Sequence, residues 1–209
     1  MSIVKFEDEK AFDKFYFNVG NKKNIASGGE GTCFLGNDEF VYKIYDGPDE
    51  REVNPYTIYT TGDVSSDLII FPQDVYVVND RLVGYKTKYI PNDVFLNPKA
   101  TFEMAGSESC IIEAFWEMVA EIRRLASEKI FMYDLIGNLM FDGKHFYAID
   151  TSEYQHLPDK CDEEIIALNI ESLIEALELQ LMFDENEILR TFIAEVRAKL
   201  LNNEVPRLK

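Results

Sequence analysis

Three oxygen-bearing side chains, Asp134, Asn138 and Asp150, stand in the stretch IFMYDLIGNLMFDGKHFYAIDTSEY (residues 130–154), in a pattern that structure alone rarely requires. Asp134 follows an apolar run and Asn138 comes four residues later. The alternating segment LMFDGKHFYAI then returns the chain to Asp150. Asp142-Gly143 is a strong two-residue turn signal, so this segment reads as a hairpin. Such a hairpin sets Asn138 and Asp150 near the same end, with Asp134 just before it. That is an acidic, oxygen-rich place for a hard cation such as Mg²⁺. Taken singly, each of the three is also explicable as a turn or cap residue.

A second group lies far upstream. Gly28, Gly29 and Gly31 in IASGGEGTCF place a glycine cluster at the start of a hairpin, where the backbone can approach phosphates closely. A plain bend has the same composition. Lys43, in VYKIY, falls on the second strand of that hairpin. A strand lysine usually points to solvent; the sharper expectation directs it below the glycine loop, onto phosphate oxygens and a helix carboxylate. Glu50 and Glu52 are both open as that carboxylate.

Regular elements must position these residues. The charged and aromatic stretch 1–24 predicts a short helix packed on the rest, and the turn Gly36-Asn37-Asp38 separates two β-prone segments. PDEREV begins like a helix, with Pro48 in its first turn and Pro55 limiting its length. DLIIFPQDVYVV and RLVGYKTKYI flank Asn79-Asp80, another hairpin signal, and PNDVFLNPKA is a Pro- and Asn-rich connector marking a boundary. Beyond it, Ile111, Ile112, Phe115, Trp116, Val119, Ile122 and Leu125 share one face of a long helix capped by Ser107. Two more helical patterns follow, at roughly 162–182 and 185–202. A strand-rich half thus precedes a helical half with one embedded hairpin, an α+β arrangement in two lobes.

The chain has 209 residues, 46% of them hydrophobic, which suffices for a core. Its 21 Lys and Arg against 38 Asp and Glu give a formal charge of −17, which disfavours nonspecific attraction to nucleic acid or an anionic membrane. Cys33, Cys110 and Cys161 are odd in number and widely spaced, and read as buried free thiols in a reducing compartment. No basic segment followed by an apolar region opens the sequence, and no apolar run approaches the roughly 20 residues of a membrane span. A soluble, cytoplasmic protein is expected; delivery into another cell would leave no such mark.

In their order, these features resemble the protein-kinase fold: glycine-rich loop, strand lysine, helix glutamate, an Asp and Asn of a catalytic loop, and a metal-binding Asp. IASGGEGTCF looks like the kinase loop, with Ala26 at its first glycine and Gly28 and Gly31 at the other two. Cys33 falls where an aliphatic residue covers adenine. Val41-Tyr42-Lys43 looks like the end of the lysine strand. Met132-Tyr133-Asp134 stands in place of His-Arg-Asp, and Asp150-Thr151-Ser152 in place of Asp-Phe-Gly. The Asp-to-Asn spacing is one residue shorter than in the common kinase loop, and no Ala-Pro-Glu follows. About 59 residues remain after Asp150, which implies a reduced helical C-lobe. Such economy is similar to that of minimal bacterial kinases, including short effector kinases. The likeness spans roughly residues 20 to 155.

The resemblance implies one two-lobed domain, an N-lobe over 1–90 and a C-lobe over 91–209. It implies ATP and Mg²⁺ as cofactors and transfer of the γ-phosphate to a hydroxyl, of a protein Ser or Thr or of a small molecule. Asp134 and Lys43 would be catalytic, and Asn138 and Asp150 would hold the metal. Ser27, Gly28, Gly29, Gly31, Cys33, Val41, Lys43, Glu52, Lys88 and Tyr89 would bind nucleotide, with Thr87 beside the pocket. A pseudokinase that works through partner contacts, and a kinase-like AMP transferase, share the same motifs. His145 is expected to face solvent on a strand, His156 to lie in the activation segment, Trp116 in the core, and the acidic run 159–164 at a solvated helix start.

Overall fold

The computed structural model describes residues 1–46, 64–91, 94–181 and 186–201. The fold is mixed α+β and divides into two compact units, Met1–Ser65 with Ile70–Ile90, and Ser66–Ile69 with Pro91–Lys209.

Among the described residues, the first unit is a six-stranded sheet carrying one helix. Its strands are β1 (Ser2–Phe6), β2 (Lys23–Ser27), β3 (Gly31–Leu35), β4 (Phe40–Tyr45), β5 (Asp74–Val78) and β6 (Arg81–Lys88), in the order β1-β5-β6-β4-β3-β2. The opening stretch, expected as helix alone, divides into β1 and α1 (Glu9–Gly20). β1 pairs in parallel with β5, some 70 residues away, and so distant a partner leaves no local signal. Asp8 caps α1 by accepting from Ala11 N at 2.8 Å, and Asn21 closes it by donating to Phe17 O at 2.8 Å. Phe12, Phe15 and Val19 of α1 pack with Phe6, Phe34, Ile44 and Tyr76. Asn79 and Asp80, with φ of 49° and 60°, make the expected two-residue turn between β5 and β6. The expected helix beginning at Pro48, with Glu50 and Glu52, lies outside the described residues.

The second unit begins its own strands at β7 (Val94–Phe95), inside the segment read as a connector. Helices α2 (Pro98–Ala105) and α3 (Glu108–Arg124) follow, then β8 (Ile130–Phe131), β9 (Leu139–Phe141), β10 (Phe146–Ala148) and β11 (Gln155–His156). The chain continues into α4 (Asp162–Leu181) and α5 (Glu187–Leu201). β10, β9 and β7 form one small sheet and β11 and β8 another. Residues upstream join them: Ile69 bridges in parallel to Ala148, and Ala148 N donates to Leu68 O at 2.8 Å. Ser107 holds the N-cap position of α3, though its side chain makes no capping hydrogen bond. The core gathers Ile111, Phe115, Met118 and Ile122 of α3, Leu139, Phe141 and Phe146 of the hairpin, and Ile165, Leu173 and Leu177 of α4. Each large side chain so buried contributes about 1.5–3 kcal/mol. The cysteines are free as expected, but Cys161 is exposed and Cys33 and Cys110 are half-buried.

Candidate functional site

Consecutive strand residues face opposite sides of a sheet, and this rule sorts the first unit's candidates. Ile44 and Tyr42 pack with α1, so Val41, Lys43 and Tyr45 occupy the other face of β4. Cys33 and Tyr85 are the direct cross-strand partners of Lys43, and Thr87 is that of Val41. Cys33, Val41, Lys43 and Thr87 therefore share one face, as the nucleotide reading needs. Lys88 pairs with Phe40 and falls on the opposite face, so its side chain is not part of that surface. Tyr89, half-buried, follows the end of β6.

Lys43 is 6% exposed. Its Nζ lies 3.1 Å from Glu30 Oε2 and 5.5 and 5.8 Å from the ring centres of Tyr45 and Tyr85. Glu30, not foreseen, stands inside the glycine cluster; the signal was a carboxylate interrupting three glycines. The cluster is itself the β2–β3 turn, closed by Gly28 N donating to Gly31 O at 3.0 Å, with Ser27 at the end of β2. Its glycines differ in kind. A Cβ on Gly31 would stand 2.2 Å from Ile44 O, so the sheet requires glycine there. A Cβ on Gly28 or Gly29 would meet open space, so close packing within the fold does not call for glycine at either position.

In the second unit the hairpin forms with a longer turn than expected. Phe141 pairs with Phe146, leaving four residues, Asp142 to His145, in the loop. Asp142 Oδ1 accepts from Lys144 N at 2.9 Å and His145 N at 2.7 Å, and Tyr147 OH donates to Oδ2 at 2.8 Å. These bonds favour the wider turn over the two-residue one. Burial pushes the Asp142 carboxyl up, but the three donors outweigh it and hold it below its ordinary value.

At the other end the expected convergence is present. Ile149 N donates to Asn138 O at 2.9 Å, which sets Asp150 beside Asn138. Asn138 Nδ2 donates to Asp134 O at 3.0 Å and reaches Asp134 Oδ2 at 3.4 Å. With its amide nitrogen turned to Asp134, the carboxamide oxygen is the end that would take a cation. Ser152 Oγ donates to Asp150 Oδ1 at 3.0 Å. Asp134 and Asp150 both hold left-handed backbones, with φ of 62° and 54°, a conformation of real cost outside glycine that clusters at functional sites. Tyr154, fully buried, is pushed up in pKa by that burial and further by the charges of Asp150 and Asp134.

Three polar residues of α4 fasten this loop, and periodicity gave no hint of them. Asn169, 3% exposed, accepts from Met132 N at 2.7 Å and donates to Ile130 O at 2.9 Å. Ser172 Oγ donates to Met132 O at 2.9 Å, and Gln180 Oε1 accepts from Gly137 N at 3.1 Å. Neither a family model nor a curated protein matches the sequence. Among the described residues no group of three His, Cys, Asp or Glu is placed to hold a metal ion, and no helix is long and apolar enough to cross a membrane. One carboxylate and one carboxamide oxygen suit Mg²⁺, which keeps waters and takes its other ligands from substrate phosphates.

The remaining expectations resolve simply. His145 lies in the turn, not on a strand, with Nδ1 2.5 Å from Glu117 Oε2. His156 lies in β11 opposite Ile130. Trp116 is half-buried and packs edge-on against Phe115 and Phe192 at 5.3 and 5.8 Å. The acidic run enters α4, where Lys160 and the N–H of Cys161 bring the Glu164 carboxyl down to about 2.

Proposed function

We propose that the chain is an ATP- and Mg²⁺-dependent phosphotransferase that moves the γ-phosphate of ATP to a Ser or Thr hydroxyl of a protein. The observation that carries this reading is the convergence of Asp134, Asn138 and Asp150 at one end of a hairpin, both aspartates in left-handed backbone. The buried Lys43 and the glycine turn support a phosphate-binding role for the first unit.

In this mechanism the chain mostly positions and stabilises charge. Lys43 holds phosphate oxygens, and the turn at Gly28 and Gly29 lets them near the backbone. Asp150 and the Asn138 oxygen would hold Mg²⁺, which when bound neutralises phosphate charge. Asp134 accepts the proton of the acceptor hydroxyl as that oxygen bonds to the γ-phosphorus. The bond from the γ-phosphorus to the bridging oxygen breaks, and ADP leaves with the electron pair.

The test is incubation with Mg²⁺ and ATP labelled separately at the γ and α phosphates, using wild type, Lys43→Ala and Asp150→Ala. Incorporation of γ label, lost in both variants, is the expected result. Incorporation of α label would replace the reading with AMP transfer, and ATP binding without transfer to self or lysate would replace it with a binding module. Transfer indifferent to both substitutions would overturn the site.

A further inference from the structure

Lys43 stands in a nearly closed place. Its side chain is 8% exposed, with Tyr45 and Tyr85 at its flanks. An ammonium so enclosed requires an anion close by, and the carboxylate of Glu30 stands 3.1 Å away. That carboxylate does not share the enclosure, for the Glu30 side chain is 35% exposed.

The backbone under Glu30 is fixed. Its carbonyl accepts from Asp46 N at 3.1 Å, and Gly31 beside it fits against β4 with no room for a side chain. Gly28 and Gly29, before it, are exposed and border open space. The turn thus keeps its place, while the Glu30 carboxylate reaches the lysine on a long side chain that stands partly in water.

We infer that Glu30 is an internal counter-anion of Lys43, held where a phosphate oxygen binds and displaced by an incoming polyphosphate chain. The inference rests on the reading of Lys43 as a phosphate ligand. A triphosphate brings several negative charges against one, so it wins the exchange. It binds more weakly than it would to an unoccupied lysine, by the fraction of time that Glu30 holds the ammonium. Glu30 therefore lowers nucleotide affinity, and it contributes to balancing the buried charge when nucleotide is absent.

The test is calorimetric titration of the full chain with ATP and with inorganic tripolyphosphate, each in Mg²⁺, for wild type, Glu30→Gln, Glu30→Asp and Lys43→Ala. Glu39→Gln, on the exposed β3–β4 turn, serves as the control. Gln keeps the length of the side chain and loses the charge, so Glu30→Gln is expected to bind both ligands about fivefold more tightly. Glu30→Asp keeps the charge but draws it back, and is expected to fall between; it also serves if the Gln variant does not fold. Glu39→Gln is expected to match wild type. Unchanged or weaker binding by both Glu30 variants, with Lys43→Ala still impaired, overturns the counter-anion and leaves the lysine's role standing. Lys43→Ala binding like wild type, or wild type binding neither ligand, overturns the phosphate site itself.

Discussion

Lys43 and the pair Asp134 and Asp150 are fixed to the protein in different ways. Lys43 sits in the middle of β4, with β3 on one side and β6 on the other, so its direction follows from strand register. The two aspartates lie on irregular backbone, and their placement depends on a few side-chain hydrogen bonds from α4 and on the pairing of Asn138 with Ile149. A register is shared among many bonds and resists any single loss. A loop that depends on individual side-chain hydrogen bonds is more exposed to one.

The largest effect is therefore expected at Asn169. Asn169→Ala strands the buried Met132 N and Ile130 O and should cost the second unit about 3 kcal/mol, read as a lowered midpoint in urea. A loss under 1 kcal/mol would break the comparison, since the loop would then hold itself. Next is Gly31→Ala, which forces β3 away from β4 and should cost about 2 kcal/mol by the same measurement. Gly29→Ala meets open space and should stay within about 0.5 kcal/mol of wild type while weakening ATP binding. At Asp150 the backbone is the probe: Asp150→Gly should be more stable than Asp150→Ala by about 1 kcal/mol in thermal melts, with both inactive in transfer.

A pH-dependent effect belongs to the far end of the same hairpin. The Asp142 carboxyl is held below its ordinary value, so it adds stability above the unfolded value of about 4 and loses it as pH falls through the folded one. Asp142→Asn should be less stable than wild type at neutral pH, and the gap should close in acid. Urea midpoints measured across pH check this; a gap that persists in acid would assign it to packing.

What could be read in advance follows the range of each signal. Asn79-Asp80 announced its turn because two adjacent residues decide a two-residue loop, and the face of α3 was plain from its repeat. Asp142-Gly143 misled because the carboxylate of Asp142 recruits Lys144, His145 and Tyr147, and a two-residue pattern cannot display those bonds. β1 was missed because its partner lies some 70 residues on. The convergence of Asp134, Asn138 and Asp150 was legible from the short return of the hairpin. Glu30 and Asn169 were not, since any carboxylate or amide on the right face of the right element would read the same.

The segment Ser66–Ile69 lies in sequence between two parts of the first unit yet belongs with the second. A fragment beginning at residue 91 would lack Leu68 and Ile69, and β10 would lose the partner that Leu68 O and Ile69 now supply to Ala148. During synthesis the piece that completes the second unit emerges from the ribosome well before the strand it joins, and it must wait. Anyone dividing this gene to study its halves separately should therefore carry residues 66–69 with the downstream part, or expect an open sheet edge prone to self-association.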